Sequence, residues 1–168
     1  MVYFIVEGQT DKALIKNILI SKKENEDFKF LGLKGDGSVL KTLENLTEHE
    51  ISQNLYFAII DADKSFSDRN KQMVTLTQGK GIEFYIFPNH KDNGDLETLL
   101  LSNIDKDNKT IKCFDSYQDC LGINVENKAK LYAYTTIELN QKPEEYIKTF
   151  NFENDFKELK QKLTNLFN

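Results

Sequence analysis

Leu55-Tyr56-Phe57-Ala58-Ile59-Ile60-Asp61-Ala62-Asp63 is the stretch on which the reading of the whole chain turns. Six consecutive apolar residues, rich in aromatic and β-branched types, read as a strand buried on both faces. The run stops at two aspartates one residue apart. In an open α/β sheet the carboxyl ends of the strands are where ligands gather. Two ionised carboxylates there repel each other by ~4 kcal/mol at ~4 Å and an effective dielectric of about 20. A divalent cation is the usual compensation, so the pair predicts a metal site.

Three similar runs flank this one. Val2–Val6 reads as a first strand, followed by an amphipathic helix from about Gln9 to Ile20 whose apolar stripe is Ala13, Leu14, Ile18 and Leu19. Phe28–Leu33 reads as a second strand. A loop, Lys34-Gly35-Asp36-Gly37-Ser38, then leads to a helix holding Val39, Leu40, Leu43 and Leu46. After the third strand, the segment from Ser65 to the glycines at 79 and 81 is a polar loop or short helix. Ile82–Phe87 is a fourth strand, stopped by Pro88. This alternation predicts an α/β fold: a three-layer, Rossmann-like arrangement with a four-stranded, mainly parallel sheet covered on both faces. Beyond Gly94 the pattern is helical, over Leu96–Leu101, Lys109–Leu121, Val125–Leu139 and Phe152–Phe167. The expected organisation is one domain over residues 1–168, with a core at 1–101 and a helical C-terminal extension at 102–168.

The totals agree with a globular chain: 39% hydrophobic, 29% charged, and only two prolines to interrupt it. No apolar run is long enough to cross a bilayer, and no basic segment precedes the first strand, so no signal peptide is expected. Cys113 and Cys120, seven apart in one predicted helix, make no metal quartet or disulfide framework. They read as reduced packing residues of a cytoplasmic protein. A formal net charge of −5 argues against a broad phosphate-binding face. It leaves nucleic acid open as a partner, because divalent ions on carboxylates reverse the local sign. A partner protein is equally open, and the oligomeric state is not fixed by the sequence.

Acids stand at the carboxyl ends of three predicted strands: Glu7 and Asp11 after the first, Asp61 and Asp63 after the third, Asp95 and Glu97 after the fourth. If the strands run in the order 2-1-3-4, the first and third are neighbours, and Glu7 and Asp61 would face each other at the switch point. Each acid also has a local reading: Asp11 complements a helix dipole, Asp95 or Asn93 caps the next helix, and Asp61 and Asp63 form turns. Three sets at one rim point to a shared site for a hard cation. Gly8 and Gly94 would let the backbone approach a ligand. His90, beside Pro88, is a candidate substrate contact, whereas His49 lies in a polar, solvated helix. Lys128 and Lys130 open a helix downstream of the acidic loop. Tyr132, Tyr134, Phe150, Phe152 and Phe156 read as core residues.

Val6-Glu7-Gly8 after a first strand, with Asp61-x-Asp63 after the third, resembles the TOPRIM domain of topoisomerases, primases and related nucleases. Glu7 with Asp11, and Gly94-x-Leu96-Glu97-x-Leu99-Leu100, are similar to the TOPRIM half of overcoming-lysogenization-defect (OLD) nucleases, and most of all to small stand-alone proteins related to them. The likeness covers residues 1–101 and, more loosely, the Lys128 region. No Walker-type Gly-Lys-Ser/Thr loop is present, and position 11 is Asp in place of Glu, which shortens that ligand.

The resemblance implies a TOPRIM fold and metal-dependent phosphoryl transfer, foremost hydrolysis of a nucleic-acid phosphodiester. Asp61, Asp63 and Glu7 would bind or organise Mg2+ or Mn2+, with Asp11 and Glu97 completing a second ion. Glu7 would serve as general acid/base and Lys128 would neutralise the phosphate, with Gly8, Asp95 and His90 in supporting positions. Two alternatives stand beside it. One is a non-catalytic TOPRIM-like module acting with a partner protein. The other starts from Ile60-Asp61-Ala62-Asp63-Lys64-Ser65, which resembles the nucleophile motif of haloacid-dehalogenase phosphatases, with Asp61 as the phosphorylated group.

Overall fold

Alternate residues of each strand are apolar on both sides, so each strand needs cover above and below, and the chain supplies it with helices. The computed structural model describes residues 1–31, 39–150 and 156–167. In chain order its elements are β1 (Val2–Ile5), α1 (Gln9–Ile18), β2 (Phe28–Leu31), α2 (Val39–Asn45), α3 (Glu48–Gln53), β3 (Leu55–Asp61), α4 (Phe66–Thr77) and β4 (Glu83–Phe87). Then come α5 (Leu96–Ser102), α6 (Lys109–Leu121), α7 (Asn127–Ile137), α8 (Pro143–Tyr146), a 3-10 turn at Ile147–Thr149, and α9 (Lys157–Asn165).

The strands form one four-stranded parallel sheet in the order β2-β1-β3-β4. The register pairs Ile5 with Ala58 and Asp61 with Phe87, which brings the carboxyl ends of β1, β3 and β4 to one edge. On one face Phe4, Phe57, Ile59, Tyr85 and Phe87 pack against Leu14 and Ile15 of α1, Leu96 and Leu100 of α5, and Leu131 of α7. Ile147, Phe156, Leu159 and Leu163 complete that cluster. On the other face Ile5, Tyr56, Ala58, Ile60 and Ile86 pack against Val39 and Leu43 of α2 and Met73 of α4. Each fully buried Phe, Ile or Leu contributes ~1.5–3 kcal/mol relative to exposure. Of the segments after residue 102, α7, the turn at Ile147 and α9 therefore belong to the core of the α/β body, and the start of α7 also reaches its ligand edge.

Several boundaries differ from expectation. β3 runs through Asp61, and the polar segment after Ser65 is a helix of 12 residues, begun by the Ser65 side chain accepting from Asp68 N. Its pattern is faint because only Met73 and Thr77 of that helix are buried. The stretch around His49 is a separate helix, started by a reciprocal Thr47–Glu50 box. Pro143 opens α8 at a first-turn position, ahead of the expected last helix, and the latter is seen from Lys157. The Lys34–Ser38 loop, the end of the expected second strand and residues 151–155 lie outside the described residues. Cys113 and Cys120 share α6 as expected, yet both are exposed and do not pack. No described helix is long and apolar enough to cross a membrane.

Truncating Leu131→Ala should lower unfolding stability by ~2–5 kcal/mol, as for a fully buried leucine. A single cooperative urea transition that shifts as a whole is expected, because α7 shares the core with the strands. A change under ~0.5 kcal/mol, or a separate early transition, would show that the C-terminal helices are not part of that core.

Candidate functional site

The strand ends open into a cavity of about 790 Å³. Glu7, Asp11, Asp61, Asp63, Asp95 and Glu97 all line it, so the acids from three loops share one space. Asp68 and Glu126 add to them, against three cations, Lys64, Arg69 and Lys128. The start of α7 forms part of the wall through Asn124–Lys128. Asn127 fixes that wall, since its Nδ2 donates to Thr98 Oγ1 at 2.9 Å and to Asp95 Oδ1 at 3.4 Å.

Each carboxylate has a structural cause for its position. Asp11 lies one turn into α1 and its Oδ2 accepts from Gly8 N at 2.9 Å, so it closes the helix start from within. Asp61 ends β3, and its Oδ1 accepts from Leu96 N at 3.2 Å, tying β3 to the start of α5. Asp95 caps α5 by accepting from Thr98 N at 2.6 Å and from the Thr98 hydroxyl. Asp63 sits at φ 52°, a left-handed conformation that aspartate tolerates better than most residues. It is pinned there by reciprocal backbone bonds with Gly94, both 2.8 Å. Gly94 itself, at φ 127°, has no room for a side chain: a Cβ would lie 2.8 Å from Thr98 Oγ1.

Crowding shows in the protonation of these groups. Burial, then the charges of Asp11, Glu7, Glu97 and Asp95, push the Asp61 carboxyl up to about 9. Asp11 is raised to about 7, by burial first, then by Glu97 and Glu7 against the Gly8 N–H that favours its ionised form. Glu7 keeps an exposed edge but is desolvated by the cavity walls. That desolvation, then Asp63, raises it, while Arg69 and a hydrogen bond with Asp61 pull it back. Glu97 is also raised, by burial and Asp95, against its own backbone N–H and Lys128. Near neutral pH the Asp61 carboxyl is held protonated.

Other expected positions fall differently. Lys128 lines the cavity, whereas Lys130 turns to Asp115 of α6 in an ion pair. His90 lies outside the cavity lining: its Nδ1 accepts from Ile86 N at 3.1 Å and its ring stacks on Tyr85 at 5.3 Å, which finishes β4. Gly8 lines the cavity, but at φ −143° its backbone is extended and a Cβ would meet ordinary contacts. Any residue fits that conformation, so the close approach expected of Gly8 is not a steric requirement. Arg69 was not anticipated. It is the only arginine in the chain, and from the first turn of α4 it reaches into the cavity. Its Nη2 donates to Asp63 Oδ2 at 2.6 Å, its Nε to the Asp61 carbonyl oxygen at 3.0 Å, and its Nη1 to Gln72 Oε1 at 3.3 Å.

The donor chemistry suits a hard divalent cation, since every candidate ligand is a carboxylate oxygen. The placement is not a ready cage: among the described residues no group of three or more His, Cys, Asp or Glu side chains is set to hold a metal ion. The expected cluster is thus gathered around one cavity but not assembled. Asp11, Asp61, Asp63 and Asp95 are engaged by Gly8, Leu96, Arg69 and Thr98 in turn.

A stability profile follows from the raised carboxyls. In metal-free protein Asp61 and Asp11 hold protons that the unfolded chain, titrating near 3.8, has already released. Their contribution is therefore complete below about pH 4 and lost as pH rises through about 7 and then about 9. Thermal melts in chelator should show Tm falling from pH 6 to pH 9.5, and Asp61→Asn should flatten the upper part of that fall. A wild-type Tm that is level or rises over this range contradicts the assignment.

Neither a curated protein nor a solved structure gives a match. Residues 2–168 match the family described as "Protein of unknown function (DUF3226)". The match spans nearly the whole chain, from the first strand through the last helix, and the chain therefore belongs to the DUF3226 family.

Proposed function

We propose that this protein is a TOPRIM-like enzyme of divalent-metal-dependent phosphoryl transfer, acting foremost as a nuclease on nucleic-acid phosphodiesters. The observation that carries the reading is the convergence of Glu7, Asp61, Asp63 and Glu97, from three strand ends, on one cavity that also takes Lys128. Asp61, Asp63 and Glu7 would hold Mg2+ or Mn2+, and Asp11 with Glu97 would complete a second position. A bound ion would supply Lewis-acid charge to a phosphoryl oxygen. Glu7 is the general acid/base of this reading, and its raised pKa moves it toward the range where such groups work at neutral pH. Lys128, held at the cavity wall beside Asn127, would counter charge developing on the phosphate. The acidic lining disfavours a polyanion until cations reverse its sign, so substrate binding is expected to need the metal as well.

A second reading, a non-catalytic module that works with a partner protein, is favoured by the lack of a ready three-ligand cage among the described residues. The phosphatase reading is weaker, because Asp61 ends the third strand, with β1 and β2 before it, whereas the dehalogenase-type motif it resembles stands on a first strand.

The test is cleavage of single- and double-stranded DNA and RNA in Mg2+ or Mn2+. Activity should vanish in chelator, fall by ~10²-fold or more in Glu7→Gln, the range of a lost general acid/base, and be abolished in Asp61→Asn. Well-folded protein that binds manganese but cuts none of these substrates removes the nuclease and leaves the binding module. Lack of manganese binding even at millimolar concentration removes both metal readings.

A further inference from the structure

Arg69 stands out within the cavity because its charge is aimed at a candidate ligand and not at the solvent. Its side chain is largely covered, 20% exposed, whereas that of Asp63 is 58% exposed. The guanidinium is fastened at three points: the Asp61 carbonyl, the Asp63 carboxylate and Gln72. Its pull on Glu7 is also felt across the cavity. The fork thus supplies positive charge to the Asp61-x-Asp63 turn, where a divalent cation would supply it.

We propose that Arg69 is an exchangeable counter-ion for Asp63: it neutralises this carboxylate while the site is free of cation, and must release it for a divalent ion to bind there. This rests on the metal reading above and accounts for the engagement of Asp63, one of the acids that line the cavity without forming a cage. The backbone of Asp63 is pinned independently by Gly94, so release of the side chain needs no movement of the loop. The exposed side of the pair makes exchange cheap, since such ion pairs contribute little net stability. Arg69 is accordingly a positioning residue, acting through Asp63 and touching no reacting atom.

The test is manganese binding by isothermal titration, with thermal melts to confirm folding, on wild type, Arg69→Gln and Arg69→Lys. Removing a competing cation while keeping a hydrogen-bonding side chain should tighten manganese binding about three- to tenfold in Arg69→Gln, in the range set by a partly exposed pair and a nearby like charge. Arg69→Lys keeps the charge and should stay within about twofold of wild type. Adding Asp63→Asn to Arg69→Gln should erase the gain, because the effect passes through that carboxylate. Manganese binding only after Arg69→Gln, with none in wild type, would overturn the exchange, since the native ion pair would then not yield to a cation. If wild type binds manganese and Arg69→Gln binds it equally or more weakly, the counter-ion role is overturned and the metal site survives. Equal tightening in the lysine variant overturns it too, since charge would not be the cause. If no variant binds manganese, the metal reading falls and takes this inference with it.

Discussion

Carboxylates packed at the edge of a parallel sheet repel one another and lose water together, and this is the constraint to which the rest of the molecule answers. Asp61 meets it in full, at the end of a buried strand and facing Asp11, Glu7, Glu97 and Asp95. Three remedies are in place. Backbone N–H groups at the starts of α1 and α5 bond Asp11 and Asp61, protons are retained on the most crowded carboxyls, and Arg69 offsets Asp63. Each remedy belongs to a different level of structure: local helix geometry, ionisation equilibrium and a tertiary ion pair.

Such crowding survives only on a stiff support. Two hydrophobic clusters, one on each face of the sheet, hold the strand ends in register and keep the loops from spreading. The C-terminal helices matter twice. Leu131 of α7 is fully buried in one cluster, and four residues earlier Asn127 bonds Thr98 at the start of α5. The packing that stabilises the sheet thus also positions Lys128 at the cavity, so core and site are one construction.

The strands were legible because a parallel strand covered on both faces must be apolar at nearly every position, as Tyr56 to Ile60 are, whereas their order, β2-β1-β3-β4, is set by tertiary pairing. The acids were legible for a related reason: polar residues directly after such a run can only lie at the sheet edge. What the sequence concealed depends on tertiary partners. Arg69 gains its meaning from Asp63 and the Asp61 carbonyl, six and eight residues before it, and its one sequence signal was rarity, a single arginine among many lysines. α4 was faint because two buried residues in twelve give no stripe. The cysteines were misread as packing residues because the amphipathic pattern of α6 does not reveal that none of its residues is buried. His90 drew notice as a histidine near the rim, yet its Nδ1 is spent on the backbone of β4.

The partners that now occupy the carboxylates differ in what they would withhold from a cation. A carboxylate offers about four lone-pair sites, and a single N–H bond takes one of them. Leu96 N–H on Asp61 and Gly8 N–H on Asp11 orient these groups while leaving most of their acceptor capacity unspent. Such bonds resemble the outer contacts that commonly orient metal ligands. A proton on Asp61 and the guanidinium on Asp63 are of another kind, because each supplies positive charge at the place a cation would take. Both could leave without breaking a strand or a helix, since neither is a backbone hydrogen bond of the sheet or of a helix. On the proposed metal reading, the step from this acidic cavity to a metal centre would thus be one of charge exchange and not of refolding.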